Sequence, residues 1–196
     1  MSADSSTAAA LDGVELLERA LSYTVGSLLL VTPELRSAPT PCARWDLTAL
    51  LEHMNDSLEA LCEALDLGQV SPRLVVAGGD PVVRLKDRGC RLMAALSHAD
   101  GRSVRLGGLP PLPQATVART GALEVAVHGW DVARACGTTR PLPAGLAVQL
   151  HDVARVVVTA ADRPARFARP VDVPAGSGPT ERLLGYLGRS PRGLVG

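Results

Sequence analysis

The sequence predicts an all-α fold, a four-helix bundle with short additional C-terminal segments. The chain is rich in Ala, Leu and Val and has only two Trp, two Tyr and one Phe, a composition that favours helices over sheets. Apolar residues recur at intervals of three and four, and stretches rich in Gly and Pro separate the periodic segments. A length of 196 residues suits one domain over 1–196, with its core at about 8–160 and a C-terminal extension at 161–196.

The first two helices are predicted over about 8–30 and 46–68. Three prolines between residues 33 and 41 break the chain between them. Asp46 can cap the second helix at its N-terminus, and Gly68 is suited to end it. The apolar stripe of the first helix consists of Leu11, Val14, Leu17, Leu21, Val25 and Leu28.

Two further helices are predicted on either side of a loop rich in Gly and Pro at about 101–113. The third helix begins at Asp80 and Pro81, an N-cap followed by a proline suited to the first helical turn. The fourth helix runs over about 114–136 and stops at Gly137.

The C-terminal part of the chain is predicted to be less regular. A fifth helix is expected over about 143–160, and a final short helix over 180–187. The segment 161–178 between them is rich in Pro and Arg, with a short strand expected around 167–173.

The net charge, the N-terminal sequence and the cysteines indicate which partners and which cellular location to expect. Twenty Lys and Arg balance twenty Asp and Glu, which predicts neither a nucleic-acid nor a membrane-surface partner. The N-terminus lacks the regions of a signal peptide, and the apolar run at 28–31 is too short to span a bilayer, so we expect a soluble cytoplasmic protein. The scattered cysteines are expected to be free thiols; they are Cys42, Cys62, Cys90 and Cys136.

The segment 124–131 (EVAVHGWD) carries the most informative pattern of the chain. Glu124 and His128 are four residues apart, which places both side chains on one helix face about one turn apart. Their apolar and small neighbours indicate a face that points inward, where an unpaired charge would be costly. A carboxylate and an imidazole so placed can share a divalent metal ion, although the same spacing also occurs in ordinary helix-surface pairs.

A catalytic divalent-metal site usually has three protein ligands, so a third ligand is needed. His53 lies in the middle of a helix, beside small or polar positions that leave room for a cavity, although a histidine so placed can also be a hydrogen-bonded core residue. His98 is expected at the surface, and His151 is expected to be exposed or to lie behind the site. Asp131 follows His128 by one turn and could orient its imidazole.

Three segments carry a resemblance to a known family: Pro39–His53 (PTPCARWDLTALLEH), Glu124–Asp131 and Thr180–Pro191 (TERLLGYLGRSP). They resemble the actinobacterial DinB-like metal-binding family, which includes the N-terminal domain of mycothiol-dependent maleylpyruvate isomerase. The resemblance covers about residues 10–192, and the two histidine segments together make it specific.

The resemblance implies a divalent metal, usually zinc, held in a four-helix bundle by His53, Glu124 and His128. Related enzymes use the metal to activate a low-molecular-weight thiol such as mycothiol, for S-transfer or for cis–trans isomerisation. Asp131 matches a position beside the site that would assist catalysis. Maleylpyruvate isomerases also have a C-terminal domain that these 196 residues do not include, so we do not expect maleylpyruvate itself to be the substrate.

Four residues are predicted to line a substrate pocket. Arg84 and Arg88 could bind a carboxylate of the substrate or thiol, and a solvated helix face is the competing interpretation. Trp45 and Trp130 could stack on a substrate, and packing of the bundle ends is the competing interpretation. Cys42 has no histidine beside it in the sequence and is therefore expected to be a buried or boundary thiol.

The sequence thus predicts a metal-dependent transferase or isomerase that uses a thiol and a small-molecule substrate, as a monomer or homodimer. One alternative is a metal-dependent tailoring enzyme of secondary metabolism that isomerises or cyclises its substrate. Another is a non-catalytic metal-binding protein, in which His151 or Asp131 closes the site as a fourth ligand.

Overall fold

The computed structural model describes residues 2–42, 45–70, 78–96, 103–107 and 110–191. Helices dominate these residues, as predicted, and two short 3-10 turns lie at Pro33–Leu35 and Ala160–Asp162. The α-helices are α1 Ser2–Leu28, α2 Leu47–Leu67, α3 Pro81–Leu96, α4 Gln114–Ala135, α5 Ala144–Val157 and α6 Pro179–Tyr186. The strands are β1 Gln69–Val70, β2 Ser103–Leu106 and β3 Leu112–Pro113.

The first four helices form the predicted bundle. Helix α1 packs along α4, α4 packs on α2, α2 packs on α3, and α3 returns to α1. The interior between them is built almost entirely from Leu, Val and Ala side chains. Helix α5 packs on α4 from outside the bundle, and α6 packs on α5, so the C-terminal segments form a layer on the α4 side.

The helix caps expected from the sequence are confirmed. The carboxylate of Asp46 accepts a hydrogen bond from the backbone N–H of Ala49 at 2.8 Å, and Asp80 accepts one from Val82 at 2.7 Å. Helix α2 ends where Gly68 adopts the left-handed conformation, with φ of 66°.

Two features differ from the sequence-based expectation. The sheet β1–β2–β3 was not predicted, because strands of two to four residues are too short to show an alternating pattern. The strand expected around 167–173 does not form. Prolines at 164, 170 and 174 remove backbone donors, and the segment is tied to α6 by the hydrogen bond from Val171 N–H to Gly185 O at 2.8 Å.

Helices α1 and α4 approach each other closely at Gly129. A Cβ atom at this position would lie 2.4 Å from Oγ1 and 3.1 Å from Cα of Thr24. The Thr24 hydroxyl donates a hydrogen bond to the carbonyl of Val125 at 2.8 Å, so its place is fixed. The glycine of the EVAVHGWD segment therefore sets the spacing of the helix pair that carries His128.

Two further expectations concern the thiols and the membrane. All four cysteines are free thiols, as predicted. None of the described helices is both long enough and apolar enough to cross a bilayer.

The substitution Gly129→Ala should lower the free energy of unfolding by about 1–3 kcal/mol, because the added methyl group overlaps Thr24. Urea denaturation measures the change. The matched control is Gly89→Ala in α3, where a Cβ would meet only Leu21, at 4.0 Å. This control should keep or raise stability, by up to about 1 kcal/mol, because alanine is the better helix former. Equal stabilities for the two variants would contradict the close packing of α1 on α4.

Candidate metal centre

Helices α2 and α4 bring His53, Glu124 and His128 together. Nε2 of His53 lies 2.7 Å from Oε1 of Glu124, and Nε2 of His128 lies 3.2 Å from the same oxygen. Ser57 donates a hydrogen bond to that oxygen at 3.2 Å. The side chains of His53 and Glu124 are 35% and 33% exposed, so the cluster is open to solvent on one side.

The chemistry and spacing of these side chains fit a divalent metal. The three candidate ligand atoms all lie within 4.8 Å of one another. Ligand atoms about 2.0–2.2 Å from one tetrahedral ion lie roughly 3.4 Å apart, so a small outward shift of the imidazoles would admit an ion. Two imidazole nitrogens and one carboxylate oxygen suit zinc and similar transition metals, whereas calcium requires more oxygen ligands.

Electrostatics keep the central carboxylate ionised. Burial acts to raise the pKa of Glu124, but the charge and hydrogen bonds of His128 and His53 hold it well below its ordinary value. Burial acts to lower the pKa of His128, yet Glu124 and Asp131 raise it well above the ordinary value for histidine. The ionised carboxylates of Glu124 and Asp131 therefore give the cluster a negative potential that favours binding of a cation.

Asp131 lies behind His128, on the side away from Glu124. It is fully buried, and its Oδ2 lies 2.9 Å from Nδ1 of His128. A proton on Nδ1, shared with Asp131, leaves Nε2 as the nitrogen that can bind a metal. The structure thus gives Asp131 contact with a candidate ligand and not with the open side of the site.

Arg189, which lies just after α6, was not among the site residues predicted from the sequence. Its Nε donates to Oδ1 of Asp131 at 2.9 Å, and its Nη2 donates to Oδ2 at 2.7 Å. Burial alone would raise the pKa of Asp131, but Arg189 and His128 lower it to about 2. The available signal was the place of Arg189 in the segment 180–191, which carries the family resemblance, because no spacing rule connects it with residue 131.

Cys42 also lies closer to the site than its sequence neighbours indicated. Its Sγ is 3.4 Å from Oδ2 of Asp131 and 4.0 Å from Nδ1 of His128. The thiol is half-buried, which agrees with a boundary position, but a histidine does lie beside it in space. Cys42, His128 and Asp131 form a second group of potential ligands. This group is less suited to a metal, because Arg189 already occupies both carboxylate oxygens of Asp131.

Trp45 forms one wall of the site, whereas Trp130 does not reach it. The ring of Trp45 stacks on His53, with the ring centres 4.5 Å apart and the planes inclined by 39°. A hydrogen bond of 2.9 Å from the Thr40 hydroxyl to the carbonyl of Trp45 holds this turn in place. Trp130 is buried in the core, with the guanidinium of Arg134 at 5.9 Å from its ring centre.

Arg84 and Arg88 connect α3 to α2. Arg84 forms an ion pair with Glu52, and Arg88 donates to Glu59 at 2.8 Å and to Oδ1 of Asn55 at 2.5 Å. Carboxylates of this chain therefore already neutralise both predicted substrate-binding cations. A substrate carboxylate would have to displace one of them.

A small cavity inside the bundle adjoins the candidate metal ligands. Ser57, Glu124 and His128 form its polar end. Apolar side chains from the four bundle helices line the rest, among them Leu21, Met54, Leu85 and Val125. The cavity has a volume of about 20 Å³, which is room for little more than one water-sized group beside the candidate ligands.

Neither residue considered as a fourth ligand joins the described cluster. His151 lies on α5, where its ring centre is 5.5 Å from that of Tyr186. Asp131 faces the other nitrogen of His128. His98, expected at the surface, lies outside the described residues.

The helical bundle of this chain is of the DinB-like class. The family model for the mycothiol maleylpyruvate isomerase N-terminal domain matches residues 17–133, more than half of the chain, and the chain belongs to this family. Two relatives from Mycobacterium tuberculosis are Uncharacterized protein Rv0738 (strain ATCC 25618 / H37Rv) and Uncharacterized protein MT0763 (strain CDC 1551 / Oshkosh). Each is 27% identical over 179 residues, which cover 89% of this chain and 96% of the relative. No solved structure gives a significant match.

The substitution Arg189→Met should lower the free energy of unfolding by about 3–5 kcal/mol, because it removes the guanidinium that neutralises the buried carboxylate of Asp131. Guanidinium denaturation measures the loss. In the double variant Arg189→Met with Asp131→Asn, both charges are absent, and much of the stability should return. A double variant less stable than Arg189→Met alone would show that the unpaired charge is not the cause.

Proposed function

We propose that the chain is a divalent-metal-dependent enzyme that activates a low-molecular-weight thiol such as mycothiol, for S-transfer or cis–trans isomerisation. The observation that carries the proposal is the convergence of His53, Glu124 and His128 at the open side of the bundle. Family membership supports the link to mycothiol. We propose zinc as the metal, because two imidazoles and one carboxylate suit it.

A zinc ion supplies positive charge that stabilises the thiolate form of a thiol near neutral pH. The residues of the chain supply the rest of the site. His53, Glu124 and His128 would bind the metal, and Asp131 would hold the proton on Nδ1 of His128. Trp45 and the apolar cavity would exclude water from the neighbouring space.

Two observations favour an enzyme over a closed, non-catalytic metal site. Neither His151 nor Asp131 lies where it could close the candidate site as a fourth ligand. The exposed third of the His53 and Glu124 side chains leaves a path for a small molecule. We propose a cytoplasmic location, because mycothiol-type chemistry needs a reducing compartment and the four cysteines of the chain are free.

Purified protein loaded with zinc and then desalted should retain about one ion per chain, measured by inductively coupled plasma mass spectrometry. His128→Ala and Glu124→Gln should lose most of this metal, because each removes one of three ligands. His151→Ala is the matched control, since this histidine lies beside Tyr186 on α5 and should leave metal content unchanged. Equal metal content in His128→Ala and wild type would overturn the assignment of the site.

Zinc-loaded protein should consume mycothiol in the presence of a suitable electrophile, which a thiol-depletion assay over a panel of electrophiles detects. The rate should fall to the uncatalysed level after chelation and return when zinc is added back. His128→Ala should be inactive, and His151→Ala should retain the rate. A rate that survives complete removal of the metal would argue against metal-dependent thiol activation.

A further inference from the structure

We propose that Arg189 is a positioning residue of the metal centre, acting on His128 through Asp131. The inference rests on the proposed metal site and extends it to the segment after α6. It assigns to this segment an indirect role in metal affinity, through Asp131, beyond its contribution to packing.

Hydrogen bonds connect Arg189 to Asp131 and Asp131 to the candidate metal ligand His128; we call this series of contacts the relay. Arg189 donates to both oxygens of Asp131, at 2.9 Å from Nε and 2.7 Å from Nη2. Oδ2 of Asp131 also lies 2.9 Å from Nδ1 of His128. The side chains of Arg189 and Asp131 are 11% and 0% exposed, so these bonds are largely shielded from solvent.

The planar fork of Arg189 fixes the plane of the Asp131 carboxylate. A carboxylate held at both oxygens cannot rotate about its last bond, so its bond to Nδ1 fixes the plane of the His128 ring as well. The same bond directs Nε2 of His128 towards Glu124, from which it lies 3.2 Å away. Without the guanidinium, Asp131 would be a buried carboxylate free to seek other partners.

The end of α6 holds Arg189 rigidly at this place. Its backbone N–H donates to the carbonyl of Leu184 at 2.9 Å, which closes the last helical turn. Leu183, Leu184 and Leu187 are at most 1% exposed. Arg163 provides a separate fastening, since it donates to the carbonyls of Ala168 and Tyr186 without reaching Asp131.

The zinc dissociation constant of the full chain, measured by competition with a chromophoric chelator, tests the relay. Arg189→Lys keeps the charge but not the fork and should bind zinc about tenfold more weakly. Asp131→Asn should weaken binding about ten- to a hundredfold. Adding Arg189→Met to Asp131→Asn should change nothing further, because Arg189 acts through Asp131.

Arg163→Met is the control for general loosening of the segment. Thermal denaturation should show a loss of stability in both Arg163→Met and Arg189→Lys, whereas only Arg189→Lys should bind zinc more weakly. The visible spectrum of Co²⁺ bound in place of zinc should shift in Arg189→Lys and not in Arg163→Met.

Three results would overturn the inference alone: wild-type zinc affinity in Arg189→Lys, an equal loss of affinity in Arg163→Met, or a further loss when Arg189→Met is added to Asp131→Asn. Failure of the wild-type chain to bind zinc or Co²⁺ would instead overturn the proposed function, and the inference with it.

Discussion

Two carboxylates on α4, one on each side of His128, impose the constraint on which the site depends: Asp131 is buried and Glu124 is partly buried. Glu124 and Asp131 lie on the same helix, and neither can remain ionised in the bundle without positive partners. His128 lies between them on the same helix and contacts both, and the further positive partners come from other parts of the chain. His53 of α2 lies against Glu124, and Arg189 beyond α6 lies against Asp131. The pairing of opposite charges thus brings α2, α4 and the segment after α6 together around the imidazole of His128.

These charge pairs depend on the close packing of α4 against its neighbouring helices. Gly129 allows α1 to approach α4 until Thr24 can bond to the backbone of α4. Gly121 allows α2 to approach α4 closely as well, since a Cβ at this position would lie 2.6 Å from the side chain of Leu61 in α2. Helices held so tightly leave little freedom for the histidines they carry. The small residues Gly121 and Gly129 therefore help to fix the positions of the candidate metal ligands.

Local patterns in the sequence were sufficient for much of the fold. Asp46, Asp80 and Gly68 mark helix ends by chemistry that acts within three residues, and all three predictions are confirmed. The pair Glu124 and His128 could be found because a helix brings residues four apart together. Adding His53 needed the family resemblance, since no local rule connects α2 to α4.

The remaining site features depend on contacts between distant parts of the chain. Arg189 and Cys42 reach Asp131 from opposite ends of the sequence, so no periodicity could place them there. The same limit explains why Trp45 and Trp130 could not be distinguished, although only Trp45 lies on His53. The sheet β1–β2–β3 escaped prediction for a different reason, since its strands are shorter than the pattern that identifies a strand.

The wide spacing of the site along the chain has a kinetic consequence. Residues 53, 124–131 and 189 meet only after loops of many tens of residues have closed, and long-range closure is the slow part of folding. The centre therefore requires α2 and α4 to be packed together and the segment after α6 to be in place. If α6 and the segment after it were not docked, Arg189 would not contact Asp131, and the hydrogen bond between His128 and Asp131 would lose its support. Tight retention of a metal ion would therefore report that the segment after α6 is docked against Asp131.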